Sequence, residues 1–296
     1  MKIPIFTGSA AALVTPFDET GALDLSAMGQ LIDWHLANGT RALVVCATTG
    51  ECATLTDKEW ESVVTFALDR ADGKIPVIVG AGKNDTAHAL RLCRRAETLG
   101  AQGVLLVTPY YNKTTQSGLI RHFTEIADQT ALPILLYNVP SRTGLCIAAE
   151  TYATLAKHPR IFGTKEASGD FSLILKTKRL CPKDFALYSG NDDQIVPILA
   201  LGGVGVISTM ANVIPRETQR ICELWAEGSG EEAAALQIRC QPLIQALFRE
   251  VNPIPVKEAL QQMGKISGTL RLPLVRIGST AQRELFAAMK EFGLIS

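Results

Sequence analysis

The 296-residue sequence lacks most of the features that would announce a charged partner, a membrane or a bound group. Neither sign of charge is in excess, since 29 lysines and arginines meet 29 aspartates and glutamates. That balance removes the electrostatic case for nucleic acid or an acidic membrane surface. No apolar run approaches the length of a bilayer-spanning helix. The opening Met1-Lys2-Ile3-Pro4-Ile5-Phe6-Thr7-Gly8 has no long apolar core of a signal peptide, so a cytoplasmic protein is expected. The seven cysteines are odd in number and scattered, without a C-x-x-C pair, and free thiols rather than disulfides are expected. The four histidines (His35, His88, His122, His158) are isolated and show no metal-ligand spacing. Neither a metal nor a cofactor is expected. No G-x-G-x-x-G follows the first strand-like run, and Gly80-Ala81-Gly82-Lys83-Asn84 lacks the spacing of a phosphate loop. There is no internal repeat and no low-complexity tract.

What the chain does have is alternation. Eight short runs rich in Val, Ile and Leu, at 10–15, 42–45, 77–80, 103–107, 134–137, 161–165, 185–189 and 205–208, carry no polar alternation. Such runs are strands buried on both faces, hence a parallel sheet. Helical signals lie between them. Asp24 opens a pattern that Asn38-Gly39 closes, and Thr56-Asp57-Lys58-Glu59 reads as a capping box. Asp85 or Thr86 starts a helix that stops at Leu99-Gly100, and 117–129 and 148–157 read as helices too. Eight strand–helix units predict an α/β protein, a (β/α)8 TIM barrel over residues 1–226, ahead of a doubly wound sheet. Helical patterns at 231–248, 255–263 and 280–292 then predict a C-terminal helical domain over 227–296. With apolar residues at 47% and charged residues at 20%, the chain can fill a core of that size.

In a barrel of this kind, catalytic groups project from the C-terminal ends of the strands. Lys165 ends the sixth run, so its amine is expected in the barrel mouth, where desolvation favours the neutral nucleophile that attacks a ketone. Tyr111 and Tyr137 follow the fourth run and end the fifth. Phenols with an ordinary pKa of about 10 pass protons rather than hold charge, and imine formation needs protons moved. Thr48-Thr49-Gly50 is a small turn whose backbone amides suit a carboxylate. Arg142, on Pro140-Ser141-Arg142-Thr143-Gly144, suits a second one.

In this order, Thr48-Thr49-Gly50-Glu51, Thr108-Pro109-Tyr110-Tyr111-Asn112, Tyr137-Asn138-Val139-Pro140-Ser141-Arg142-Thr143-Gly144, Lys165-Glu166-Ala167, Gly205-Val206-Ile207-Ser208 and Asn252-Pro253-Ile254-Pro255-Val256-Lys257 make up a pattern. It resembles the dihydrodipicolinate synthase family of class I pyruvate-dependent aldolases over nearly the whole chain. The resemblance implies a Schiff base between Lys165 and pyruvate, without metal or cofactor, and condensation with L-aspartate 4-semialdehyde in lysine biosynthesis. It implies a proton relay of Tyr137, Thr49 and Tyr111, with Tyr111 reaching across a tight dimer interface, and a homotetramer built as a dimer of dimers. Thr48 and Thr49 would hold the pyruvate carboxylate and Arg142 that of the aldehyde substrate, while Gly190 and the Ile207 carbonyl line the pocket. The family often has Ser-Gly-Asp-Asp where this chain has Ser189-Gly190-Asn191-Asp192. Relatives inhibited by lysine tend to carry a glutamate where His88 stands, and Asp57 and Trp60 occupy places where bacterial relatives often have histidines. A mostly neutral histidine does not replace a carboxylate, which implies weak or absent lysine feedback. Two alternatives are a sister aldolase acting on N-acetylneuraminate or a 2-keto-3-deoxy sugar acid, and a non-catalytic pyruvate-binding paralogue. Arg142 argues against the first and the full set of catalytic residues against the second.

Overall fold

Eight parallel strands close on themselves in chain order, each paired with the next and the eighth with the first, in a computed structural model that describes residues 2–296. They are β1 (Gly8–Ala12), β2 (Ala42–Val45), β3 (Val77–Gly80), β4 (Gly103–Val107), β5 (Ile134–Asn138), β6 (Ile161–Glu166), β7 (Ala186–Ser189) and β8 (Gly205–Ser208). Around them run α1 (Leu25–Ala37), α2 (Asp57–Ala71), α3 (Thr86–Leu99), α4 (Gln116–Ala127), the single turn α5 (Pro140–Thr143), α6 (Ala149–Leu155), α7 (Phe171–Leu180), α8 (Ile195–Ala200) and α9 (Pro215–Ala226). Three further helices, α10 (Gly230–Leu247), α11 (Ile254–Gln262) and α12 (Ser279–Phe292), follow. The fold is the (β/α)8 barrel that the alternation predicts. No helix among the described residues is long and apolar enough to cross a membrane.

The caps explain several boundaries. Asp24 accepts from the Ala27 amide, and Thr56 and Glu59 exchange both bonds of a capping box. Gly100 closes α3 at a φ of 89°, a conformation cheap only for glycine. β1 ends three residues before its expected limit at Thr15. The Leu13 amide still reaches the Val44 carbonyl of β2 at 3.0 Å, but the next amide, that of Val14, is accepted by the Asn212 side chain at 3.1 Å, which ends the ladder.

Two apolar layers result from the alternation of side chains along each strand. A large cluster fills the space between strands and helices. A smaller one fills the barrel: Ala10, Ala12, Ala42 and Ala186 leave room there for the rings of Tyr137 and Tyr188. Register places Tyr137 beside Lys165 and Lys165 beside Tyr188. These three residues of β5, β6 and β7 therefore form one inward-facing layer near the C-terminal mouth.

The C-terminal helices also reach that mouth. α10 packs on α9 and α12, and the segments around α11 bond to loops of the barrel. Ser267 donates to the Phe17 carbonyl, and Arg271 reaches the carbonyls of Gly21 and Thr54 and the carboxylate of Glu59.

Candidate active site

Lys165 is 5% exposed, and its amine lies 4.5 Å from the centre of the Tyr137 ring. Burial brings its pKa down to about 8; the charge of Asp192 opposes that shift and the charge of Arg142 adds to it. A buried amine that is partly neutral near physiological pH is a nucleophile for a ketone. Burial also raises the Tyr137 phenol, against the smaller opposing pull of Arg142 and the Thr48 hydroxyl. The neutral phenol is thereby favoured. Tyr188 fills the layer behind Lys165, with its hydroxyl donated to the Phe6 carbonyl at 2.7 Å and its ring stacked on Phe6.

Neighbouring groups hold these strand ends in place. Asn138 donates to both oxygens of the Glu166 carboxylate at 3.1 Å, and the Tyr152 hydroxyl donates to one of them at 3.0 Å. Gly190 donates its amide to the Glu166 carbonyl at 2.7 Å. A Cβ at position 190 would lie 2.7 Å from the Ala167 Cβ, so only glycine permits this approach of the β7 turn to β6. Ile207 is buried in β8, inside the same inner cluster as Tyr137.

Thr48 and Thr49 sit in the turn after β2. Thr15 donates to the Gly50 carbonyl at 2.7 Å, and the Asn252 amide donates to the Thr49 hydroxyl at 2.9 Å. Next to them, Glu51 adopts a φ of 52° and forms a fully buried ion pair with Lys257 at 2.5 Å. Arg142, in α5, donates to the Asn252 carbonyl at 3.1 Å. Lys165, Tyr137, Thr48, Thr49 and Arg142 therefore belong to one end of the barrel. Tyr111 is the exception: it is 93% exposed, with a φ of 68°. Among the described residues, no hydrogen bond links Tyr111 to Thr49 or Tyr137. Non-glycine residues at such φ values are strained, and this strain gathers in the loops of the site.

Asp192 and Asn252 are functional candidates that only the fold reveals. Asp192 is buried beside Lys165 and accepts the amides of Met210 at 2.7 Å and Thr209 at 3.2 Å. Its place two residues past Gly190 was the available signal. Asn252 stood in a recognised motif, but only the fold brings it to Thr49.

A model of the dihydrodipicolinate synthetase family matches residues 5–292. A 4-hydroxy-tetrahydrodipicolinate synthase of Alkaliphilus oremlandii is 52% identical over 291 residues, covering 98% of this chain and all of the relative (100%). The solved structure of a dihydrodipicolinate synthase from Thermotoga maritima matches with a TM-score of 0.96 and 45% identity, covering 98% of this chain and 100% of that one. That of a monomeric dihydrodipicolinate synthase variant matches with the same TM-score of 0.96 and 45% identity, covering 98% of each chain.

Proposed function

The chain belongs to the dihydrodipicolinate synthetase family, and from that premise we propose that Lys165 carries out a Schiff-base condensation of pyruvate with L-aspartate 4-semialdehyde. The product is 4-hydroxy-tetrahydrodipicolinate, and the enzyme is a lyase of diaminopimelate and lysine biosynthesis. The observation that carries the role of Lys165 is its buried amine, with a pKa of about 8, in one layer with Tyr137.

The neutral amine attacks the pyruvate ketone, and loss of water gives an imine whose protonated nitrogen draws electrons from the adjacent methyl carbon. Loss of a proton there leaves an enamine, which adds through that carbon to the aldehyde. The amino group of the second substrate then adds to the imine carbon and expels Lys165. Because the lysine provides the electron sink, the sequence of steps calls for no metal or cofactor. Tyr137, Thr49 and Tyr111 move the protons, and the turn of Thr48 and Thr49 binds the pyruvate carboxylate. Arg142 binds the carboxylate of the aldehyde substrate, and Gly190 and the Ile207 carbonyl line the pocket. Tyr111 serves the site of a neighbouring subunit, which its exposure and backbone strain support. This makes a dimer the working unit, doubled in a homotetramer. The reading divides the chain into a catalytic barrel over 1–226 and a helical domain over 227–296, in a cytoplasmic enzyme. The relatives' shared name supports this substrate pair over a sugar acid.

Lysine is a weak inhibitor in this reading, or none at all. His88 stands 3.2 Å from the Asp57 carboxylate, which is thereby engaged rather than free for a ligand's ammonium. An inhibition constant for lysine in the micromolar range would refute this.

The test of function is turnover of pyruvate with L-aspartate 4-semialdehyde, coupled to the next reductase and followed by consumption of reduced nicotinamide. Robust turnover is expected. Folded protein that does not turn over would remove the substrate assignment, and borohydride trapping of pyruvate on Lys165 would then separate a sister aldolase from a silent paralogue.

A further inference from the structure

Asn252 lies on the segment that leads into α11, far from every strand end in sequence, yet it is 6% exposed and touches two walls of the site. Its side-chain amide donates to the Thr49 hydroxyl at 2.9 Å, and its backbone carbonyl accepts from the Arg142 guanidinium at 3.1 Å. The other side-chain atom, Oδ1, is buried without a partner. An asparagine kept only to brace the fold would satisfy both ends of its amide. Here the one hydrogen bond that the side chain makes goes to Thr49.

That single bond has a directional consequence. A threonine hydroxyl has one hydrogen and two lone pairs. With the amide donating into one lone pair, the hydroxyl hydrogen cannot point at Asn252 and turns elsewhere. Its only other side-chain hydrogen bond among the described residues is to the Thr209 hydroxyl, 3.5 Å away and at the limit of a hydrogen bond. Thr49 is thus oriented as a donor that its surroundings leave weakly engaged. The same segment is anchored five residues on, where Lys257 pairs with Glu51 at 2.5 Å and donates to the Thr269 carbonyl at 2.7 Å.

We propose that Asn252 is a positioning residue of the condensation, which sets the rotamer and proton direction of Thr49 through its side chain and steadies Arg142 through its carbonyl. The inference rests on the site reading above. It makes the C-terminal segment part of the active site and not only its support.

The test compares Asn252→Ala and Asn252→Asp with the wild-type enzyme in the coupled assay and in borohydride trapping of pyruvate, with melting temperatures measured alongside. Loss of the donor is expected to lower kcat by about tenfold to a hundredfold, with KM for both substrates changed by no more than about twofold. The aspartate variant is nearly isosteric. At neutral pH its carboxylate accepts the Thr49 hydrogen and reverses the direction of the bond, so it is expected to be slower than the alanine variant. The ratio of the aspartate to the alanine rate should rise as pH falls and the carboxyl becomes a donor. Wild-type kcat in Asn252→Ala would overturn the proposal. So would a pH-independent ratio, or KM values that rise together with a fall in melting temperature. If Asn252→Ala does not fold, the aspartate variant alone carries the test through its pH dependence relative to wild type. Wild-type protein that traps pyruvate without condensing it would defeat the substrate reading only, and the trapping rates of the variants would then decide the role of Asn252.

Discussion

At the scale of the residue, the proposed condensation turns on one amine whose charge is set by its burial and its neighbours. Protonation removes the nucleophile, so kcat/KM for pyruvate should rise with pH and level off above about 8. The Asp192 carboxylate favours the ammonium form and the Arg142 guanidinium disfavours it. Asp192→Asn should therefore move the break to lower pH and Arg142→Gln should move it to higher pH. Rate profiles at subsaturating pyruvate measure both shifts, and a break unmoved in both variants would mean that another group titrates. Lys165 was legible in the sequence because a lysine closing a strand buried on both faces has few places to point except the barrel mouth. Asp192 and Asn252 were not legible in that way. The first acts through amides on the loop after β8, and the second through a contact spanning 203 residues. Local pattern carries no record of such pairings.

Among the elements, the turn after β2 is held by contacts from the far C-terminal segment. Glu51 and Lys257 are 1% and 0% exposed at their side chains, and the Arg271 amide also donates to Glu51, at 3.2 Å. Burial lowers the Lys257 pKa, and the adjacent carboxylate opposes that shift. Removing one partner leaves the other charge buried and unpaired. Lys257→Met should therefore cost about 3–5 kcal/mol, whereas Glu51→Gln with Lys257→Met should recover much of that loss. Denaturant melts of the two single variants and the double variant measure the coupling, and additive losses would show that the pair is not a unit. The strands and the caps of α1, α2 and α3 were readable because each depends on neighbours within a few residues. α8 is only six residues long and contains Pro197. The alternation of the chain demands a helix there more clearly than its own composition does. The ties from α11 and the segment after it to the barrel had no local signal at all.

At the scale of the whole molecule, the question is which chain supplies Tyr111. Tyr111 is 93% exposed, with no hydrogen bond to Thr49 or Tyr137 among the described residues, and a φ of 68° is a costly way to hold a tyrosine in solvent. A neighbouring site that receives the ring accounts for both features. The fold itself does not demand assembly, since one close structural relative is a monomeric variant, so the need for a neighbour must be tested by chemistry and not by size. Tyr111→Phe and Lys165→Ala should each be nearly inactive alone. Mixed and reassembled in equal amounts, half of the dimers combine one subunit of each kind. If Tyr111 crosses the interface, every mixed dimer then has one site with both residues intact and one with neither, so the mixture should recover about a quarter of wild-type activity. If Tyr111 serves its own barrel, no subunit of the mixture is whole and nothing returns. Recovery that depends on reassembly, and fades on dilution as dimers dissociate, is the expected outcome.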